Sequence, residues 1–279
     1  MSSDADPSSQ LPASLLLVGA GKMGGAMLEG WLAKGLEPAR ITVLEPKPSP
    51  ALLDLAGTAG VRLNPERAGL TPPEVLVLGI KPQALAEAAP EVAPLAGRET
   101  LVVSILAGKT IADLARALPQ AGAIVRAMPN LPASIGRGAT GAFASATTSA
   151  RQRELTQALL NAVGIVEWVE SEKLIDAVTA VSGSGPAYLF HLVECLARAG
   201  SAIGLQDAVA ERLARETVIG AAELLSESGL DPALLRQNVT SPGGTTAAAL
   251  EVLMGESGLE ALMRRAVEAA ERRAGELSG

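Results

Sequence analysis

Two glycine-rich segments of this chain carry residue types and spacings that suit the binding of anions. Residues 19–24 read Gly-Ala-Gly-Lys-Met-Gly, and residues 240–246 read Thr-Ser-Pro-Gly-Gly-Thr-Thr. Both segments lead into helical patterns, so each places the free N–H groups of a helix start beside glycines without side chains. The first segment suits phosphates, whereas the second, which is rich in hydroxyls, suits a carboxylate.

The first segment matches the G-x-G-x-x-G pattern of dinucleotide-binding loops. Its first glycine permits the tight turn, its second leaves room for the pyrophosphate, and its third lets the helix pack close to the preceding strand. The match is informative because a β-rich run at 15–18 precedes it and a helical pattern follows. The residues predicted to bind a nicotinamide dinucleotide here are Gly19, Ala20, Gly21, Lys22, Met23 and Gly24.

Two residues after the second predicted strand bear on the choice between NADH and NADPH. Glu45 lies 21 residues after Gly24, where an acidic residue can hold the ribose 2′-hydroxyl of NADH and repel the 2′-phosphate of NADPH. Lys47 can meet that phosphate instead. These residues leave both cofactors open, with a tilt toward NADH.

Further cofactor residues are expected after the later strands, because ligands of open α/β sheets bind outside the carboxyl ends of the strands. Lys81 can face a phosphate or the nicotinamide ribose, or it can be a plain surface lysine. Asn130, in a rigid Pro-Asn-Leu-Pro turn, can hold the nicotinamide carboxamide. The predicted residues in these segments are Gly79, Ile80, Lys81, Pro82, Ala107, Gly108 and Asn130.

The order of elements predicts an α/β domain, with a doubly wound parallel sheet, followed by an all-helical domain. The β-rich runs lie at 15–18, 41–44, 75–80, 101–105 and 123–128, and the helical patterns between them at 23–34, 50–59, 83–89 and 111–118. This alternation indicates a parallel sheet covered by helices on both faces. Strand signals end near Trp168, so we expect a disordered tail at 1–13, a dinucleotide-binding domain at 14–170 and a helical domain at 171–279.

Local signals describe the helical domain further. Asp231 and Ser241, each followed by a proline, are predicted N-caps of helices. The stretch 182–200 is apolar on nearly every side, which predicts burial against its own domain or a second subunit. It contains the single histidine, His191, interpreted as a packed or subunit-contact residue, and the single cysteine, Cys195, interpreted as buried.

Composition disfavours several classes of function. A net charge of -7, with two tryptophans, two phenylalanines and one tyrosine, gives neither the basic surface nor the stacking rings of a nucleic-acid-binding protein. One histidine and one cysteine cannot assemble a metal cluster, a Ser-His-Asp set or an internal disulfide. Since no signal peptide or long apolar run is evident either, we expect a cytoplasmic protein without a metal or a membrane partner.

Five motifs together resemble those of pyrroline-5-carboxylate reductases. They occupy residues 19–24, 79–82, 126–130, 181–188 and 240–246, in the order seen in that family, and the similarity spans nearly the whole chain from Leu15. The Ser-Pro-Gly-Gly-Thr-Thr segment is characteristic of the family. The resemblance implies a Rossmann domain, a C-terminal dimerisation domain like that of 6-phosphogluconate dehydrogenase, and the reduction of pyrroline-5-carboxylate to L-proline by NADPH or NADH.

The resemblance also implies roles for individual residues. The implied substrate-binding residues are Ser241, Gly243, Gly244, Thr245 and Thr246. Backbone N–H groups of the last three would hold the substrate carboxylate, and the Thr246 hydroxyl would reach the ring nitrogen, which makes Thr246 the implied catalytic residue. Leu106 joins Ala107 and Gly108 in the cofactor set. The implied assembly is a homodimer through the helical domain, or a larger ring of dimers.

Two departures from the family pattern and three alternatives accompany this interpretation. Leu131 stands where the family commonly has threonine, and the segment at 45–47 differs from the small polar and basic residues of NADPH-using members. A β-hydroxyacid dehydrogenase would use a lysine on the helix after the Rossmann domain, and 186–200 contains none. A reductase of another cyclic imine acid and a non-catalytic nucleotide-binding module stay open.

Overall fold

The computed structural model of the protein describes residues 11–278, which divide into two compact units. The first unit contains residues 11–183 and 270–278 and is built of strands and helices, whereas the second contains residues 184–269 and is all helical. The expected α/β domain followed by a helical domain is therefore confirmed. Within 11–278, no helix has the length and apolar character that crossing a membrane requires.

The boundaries of the units differ from the predicted ones. The change falls after Gly183 rather than at 170, because residues 171–183 pack on the sheet of the first unit: a Cβ on Gly141 would lie 2.6 Å from the Val178 side chain. The predicted tail at 1–13 lies mostly outside the described residues. Its last part belongs to the first unit, since Leu11 packs against the core and the Ala13 N–H donates to Glu74 at 2.6 Å.

The strands of the first unit form one sheet. They are β1 (Leu15–Val18), β2 (Ile41–Leu44), β3 (Arg62–Leu63), β4 (Val75–Leu78), β5 (Leu101–Ser104), β6 (Ala123–Met128), β7 (Gly138–Ala144) and β8 (Gly164–Trp168). Their order is β3-β2-β1-β4-β5-β6-β7-β8, and all neighbours are parallel except β6 and β7. The strand order reverses between the neighbouring strands β1 and β4, which is where doubly wound sheets bind ligands.

Helices cover both faces of this sheet. Those within the first unit are α1 (Lys22–Ala33), α2 (Pro50–Ala59), α3 (Leu85–Val92), α4 (Ile111–Ala117), α5 (Ala150–Asn161) and α6 (Leu174–Val178), the last followed by a π-helical turn at Thr179–Gly183. One face of the sheet packs with α1 and α5, where Trp31 is fully buried and its indole N–H donates to the Leu159 carbonyl at 2.8 Å. The other face packs with α3 and α4.

The helices that build the second unit are α7 (Gly185–Ala202), α8 (Asp207–Ser228), α9 (Pro232–Asn238), α10 (Thr245–Leu253) and α11 (Leu259–Leu277), of which α11 contributes its residues from Ala270 to the first unit. Small residues let α7 and α8 pack closely, since a Cβ on Gly200 would lie 3.2 Å from that of Ala210. The buried residues of these helices within the second unit are Ala197, Ala210 and Ala214. This unit therefore has a small apolar core of its own.

The structure describes one chain, so it tests the predicted burial of α7 and its residues within that chain, while burial against a second subunit stays a prediction. Helix α7 is not buried within its own unit, because Leu189, Phe190, Leu192 and Leu196 are exposed. His191 and Cys195 are exposed too, on a polar stripe of α7 where the His191 ring contacts the Glu194 carboxylate at 3.1 Å and the Cys195 thiol at 3.5 Å.

Of the two predicted helix caps, one is confirmed and one is wrong. The Asp231 carboxylate accepts a hydrogen bond from the Ala233 N–H at 2.7 Å and caps α9 as expected. Ser241 does not cap a helix. Residues 242 and 243 form a turn with Gly243 at a φ of +71°, so that α10 begins only at Thr245, with Gly244 as its N-cap.

Candidate active site

The glycine loop, residues 19–24, connects β1 to α1 and can be built only with glycine at its ends. Gly19 has a φ of +91°, and a Cβ there would lie 2.6 Å from the backbone nitrogen of Ile80. A Cβ on Gly24 would clash with the carbonyl oxygen of Gly19. The absence of side chains at these two glycines therefore lets the start of α1 lie close against the ends of β1 and β4.

Gly21, the N-cap of α1, has a different role. No atom lies within 4 Å of the position that its Cβ would occupy, so the space is open to a ligand. Helix α1 has no side-chain cap and no acidic residue in its first turn. In the part of the chain that the structure describes, the N–H groups of Lys22 and Met23 have no hydrogen-bond acceptor. This helix start therefore suits an anion such as a pyrophosphate.

Glu45, which follows β2, is tied directly to the glycine loop. One carboxylate oxygen accepts the Ala20 N–H at 3.0 Å, and the other accepts the Lys47 N–H at 3.0 Å. Each oxygen keeps a second lone pair, which can accept a ribose hydroxyl. The predicted acidic residue therefore lies at the loop, but it is also a structural link between the loop and the segment after β2.

Asn64 is a residue that the sequence analysis did not identify. Its side chain accepts the Glu45 N–H at 2.9 Å and donates to the Glu45 carbonyl at 2.8 Å, so it fixes the backbone of Glu45. Asn64 has a φ of +46°, a conformation that asparagine adopts more readily than most residues. An asparagine in a bend after a short strand is only a weak signal in sequence, because its partner lies 19 residues away.

A cavity of about 380 Å³ lies beside the glycine loop and is the candidate cofactor pocket. Its lining includes Gly21, Lys22, Glu45, Lys47, Ser49, Leu52, Leu55 and Ser134. Neither lysine forms an ion pair within residues 11–278, so both charges are available to phosphates. The leucines of α2 offer an apolar wall to a base, and Ser49 and Ser134 offer hydroxyls that the sequence analysis missed.

The segment Gly79-Ile80-Lys81-Pro82 follows β4 and lies directly beside the glycine loop. The Gly79 N–H donates to the Val18 carbonyl at 2.8 Å, next to Gly19. Lys81 is exposed and forms no ion pair in the described part of the chain. The structure thus brings together the glycine loop, Glu45 and this segment, as the strand order requires.

The loop at 106–108 follows β5, the next strand of the sheet. Leu106 is buried, so only its backbone can meet a ligand, whereas Ala107 is exposed. Helix α4 begins soon after with a capping box between Thr110 and Asp113. Burial disfavours ionisation of Asp113, but hydrogen bonds from the Thr110 hydroxyl and N–H and from Arg116 outweigh it and hold the pKa of Asp113 below its usual value of 3.8.

Asn130 does not have the free amide that the sequence analysis expected. Its side-chain oxygen accepts the Ala139 N–H at 2.9 Å, and its nitrogen donates to the Ser182 carbonyl at 3.0 Å. Only 8% of the residue is exposed. Asn130 therefore joins the turn after β6 to β7 and to the π-helical turn, and its contact with the nicotinamide carboxamide stays a prediction, for which one N–H and one lone pair of the amide remain.

The predicted substrate loop at 240–246 lies in the second unit, before α10. The Gly244 N–H already donates to the Ser241 carbonyl at 3.0 Å, which removes it from the implied carboxylate site. The N–H groups of Thr245 and Thr246 have no acceptor within the described chain, and α10 has no side-chain cap. An uncapped helix start beside the half-buried Thr246 hydroxyl suits a small carboxylate with a polar neighbour.

Comparisons with known proteins find family models that match both parts of the chain. A model described as "Pyrroline-5-carboxylate reductase dimerisation" matches residues 172–277, and one described as "NADP oxidoreductase coenzyme F420-dependent" matches residues 14–108. The chain is similar to a pyrroline-5-carboxylate reductase of Pseudomonas aeruginosa, with 41% identity over 95% of this chain and 96% of the relative.

Solved structures give the same result. A pyrroline-5-carboxylate reductase of Coxiella burnetii has a TM-score of 0.87 and 38% identity, and the match covers 96% of this chain and 99% of that one. A pyrroline carboxylate reductase of Plasmodium falciparum, solved with NADP bound, has a TM-score of 0.78 and 25% identity, with 96% of this chain and 98% of that one covered.

Proposed function

The chain belongs to the pyrroline-5-carboxylate reductase family, and we propose that it transfers a hydride from NADH or NADPH to the C=N bond of 1-pyrroline-5-carboxylate, which gives L-proline. The observation that carries this is a pair of uncapped helix starts, α1 in the first unit and α10 in the second. The first suits a pyrophosphate and the second a carboxylate, which are the anionic groups of the two reactants.

We assign the cofactor to the first unit. The start of α1 and the neighbouring Lys22 and Lys47 would hold the phosphates, and Glu45 would accept a ribose hydroxyl. When bound, the reduced nicotinamide supplies the hydride. A carboxylate flanked by two lysines leaves the preference between NADH and NADPH open.

We assign the substrate carboxylate to the N–H groups of Thr245 and Thr246, and the ring nitrogen to the Thr246 hydroxyl. A protonated C=N bond is already electron-poor at carbon, so the protein needs no strong acid there and has to orient the reactants. Orientation contributes up to about 7 to 11 kcal/mol in favourable cases, whereas one hydrogen bond between a hydroxyl and a charged group contributes about 1.5 to 3 kcal/mol. Thr246 is therefore proposed to accept a hydrogen bond from the N–H of the protonated imine and so to align it, rather than to act as an essential acid.

We also propose that the chain works as a homodimer through its helical unit. Helix α7 exposes a stripe formed by Leu189, Leu192 and Leu196, which is unfavourable unless another surface covers it. The match of 172–277 to the dimerisation model supports a second copy as the cover. A ring of such dimers stays a prediction from the family resemblance, and a cytoplasmic location, where NADH and NADPH are supplied, stays a prediction as well.

The decisive experiment is a steady-state assay of NADH and NADPH oxidation with three substrates. These are 1-pyrroline-5-carboxylate, its six-membered homologue and a carbonyl acid of equal size. We expect the five-membered imine to have the highest kcat/KM and L-proline to be the product. One methylene changes binding by only about 1 to 3 kcal/mol, so some activity on the homologue is expected. Preference for the carbonyl acid would contradict the proposal.

A further inference from the structure

Leu277 and Ser278, here called the C-terminal strap, lie against the loop at 106–108. A Cβ on Gly108 would lie 2.8 Å from the Leu277 carbonyl oxygen and 3.1 Å from the Leu277 Cβ. Gly108 also has a φ of +70°, which residues with side chains rarely adopt. Both the conformation of the loop and the closeness of the strap thus require glycine at this position.

A buried cluster of polar side chains holds the strap in place. The Arg126 guanidinium, on β6, donates to the Ser278 hydroxyl at 3.2 Å and to Asp176 at 3.4 Å. The Ser278 hydroxyl in turn donates to Asp176 at 3.1 Å. The Arg126 side chain is 4% exposed and that of Asp176 is 10% exposed. Because buried charges are costly to leave without partners, these bonds fix Ser278 in one position.

The same arginine also fixes the other end of the loop. Arg126 pairs with Glu172 at 3.4 Å, and the Glu172 carboxylate accepts the Ile111 N–H at 2.6 Å, at the first residue of α4. The loop at 106–108 is therefore held between the strap and the start of α4. Both supports are bonded to the side chain of Arg126.

We propose that Arg126 is a positioning residue that acts through the strap and through Glu172 to set the conformation of the loop at 106–108 for dinucleotide binding. This inference rests on the proposed function, because the contact between the loop and the cofactor belongs to that proposal. Neither Arg126 nor Ser278 has to touch a ligand. Loosening the strap therefore weakens binding of the cofactor and leaves the affinity for the imine acid nearly unchanged.

The test is Ser278→Ala, which removes the hydroxyl and keeps the pairs of Arg126 with Asp176 and Glu172. We expect the Kd of NADH and NADPH, measured by calorimetry on the full chain, to rise about three- to tenfold, which is less than for the loss of a whole hydrogen bond to charged groups because the strap acts on the cofactor only through the loop. The KM for pyrroline-5-carboxylate should hardly change. The control is Arg273→Gln, which breaks an exposed pair with Glu276 on the same helix and should leave both constants unaltered.

A second pair of variants separates the strap from backbone strain. Gly108→Ala and Gly136→Ala both place a side chain at a φ of +70°, but only Gly108 has the strap beside it, whereas no atom lies within 4 Å of the Gly136 position. We expect both variants to lower the melting temperature and only Gly108→Ala to raise the cofactor Kd. Removing residues 277–279 from the Gly108→Ala chain should cost less cofactor affinity than removing them from the unaltered chain.

The outcomes separate this inference from the proposed function. If Ser278→Ala lowers only the melting temperature, or changes the cofactor Kd no more than Arg273→Gln does, the positioning role is overturned. The same holds if the KM for the imine acid rises and the cofactor Kd does not. If the unaltered chain binds neither NADH nor NADPH, it is the proposed function that fails.

Discussion

Replacing Glu45 by glutamine tests how the chain distinguishes NADH from NADPH. The substitution keeps the shape of the side chain and removes its charge. One oxygen remains, and we expect it to face the Ala20 N–H, because Ala20 is 8% exposed, while the exposed Lys47 N–H can turn to water. The glycine loop should therefore keep its conformation, and the change in charge should dominate the result.

The expected magnitude follows from two effects of opposite sign for the two cofactors. A ribose hydroxyl bonds to a neutral amide about 1 kcal/mol less strongly than to a carboxylate, so the substitution weakens the binding of NADH. Repulsion between a carboxylate and a nearby 2′-phosphate costs about 1 to 2 kcal/mol at a partly exposed site, so its loss strengthens the binding of NADPH. Together they amount to about 2 to 3 kcal/mol, or a 30- to 150-fold change in the ratio of the two kcat/KM values.

The assay measures kcat/KM for each cofactor at saturating pyrroline-5-carboxylate, at low and at high ionic strength. The shift toward NADPH should shrink at high salt, since only the repulsion is screened. Asp54→Asn is the control, because Asp54 is an exposed acid of α2 outside the cofactor pocket. If Glu45→Gln moves the ratio no further than this control does, the carboxylate does not face the ribose and the reasoning is refuted.

Three further predictions concern catalysis and stability. Thr246→Ala should lower kcat by roughly tenfold to a few hundredfold, and Thr246→Ser should restore most of it; an unchanged steady-state rate would remove Thr246 from the mechanism. Thr140→Val should raise the free energy of unfolding in urea by about 1 kcal/mol, because the buried Thr140 hydroxyl has no partner within the described chain; a decrease would show that the hydroxyl is satisfied. Asp113→Asn should destabilise the protein at pH 7, and because the folded-state pKa of Asp113 is lowered, the difference from the unaltered chain should disappear as the pH falls below 3.8. Urea unfolding curves at neutral and acidic pH measure this difference in the free energy of unfolding. A difference that persists at low pH would contradict the lowered pKa of Asp113.

The parts of the fold that could be predicted are those specified by local pattern. The central strands are continuous apolar runs, such as Leu-Leu-Leu-Val in β1, and the five predicted runs are all strands that end within two residues of the expected positions. Strand β7 was missed because it reads Gly-Ala-Thr-Gly-Ala-Phe-Ala, which has low β propensity. Its glycines are required by tertiary contacts, as Gly141 is by the Val178 side chain. A contact between residues so far apart in the chain gives no local sequence signal.

The residues of the candidate site also divide into those that local sequence predicted and those that it did not. The glycine loop and Glu45 were predictable because the spacing of the motif reflects the geometry of one strand, one turn and one helix. The role of Asn130 was not, since its amide bonds Ser182, 52 residues away. The start of α10 was misplaced because a proline after a serine is also compatible with a turn, and here the turn delays the helix to Thr245.

The burial of Trp31 beside α5 has a practical consequence for optical work on this protein. The chain has two tryptophans, and this one sits on α1, the helix whose first turn is assigned to the pyrophosphate. Trp31 lies nine residues after Lys22, the first residue of that turn, which is about 14 Å along the axis. We therefore expect the buried indole to transfer excitation energy to a bound reduced nicotinamide, so that cofactor occupancy could be followed from the protein's own fluorescence without any label.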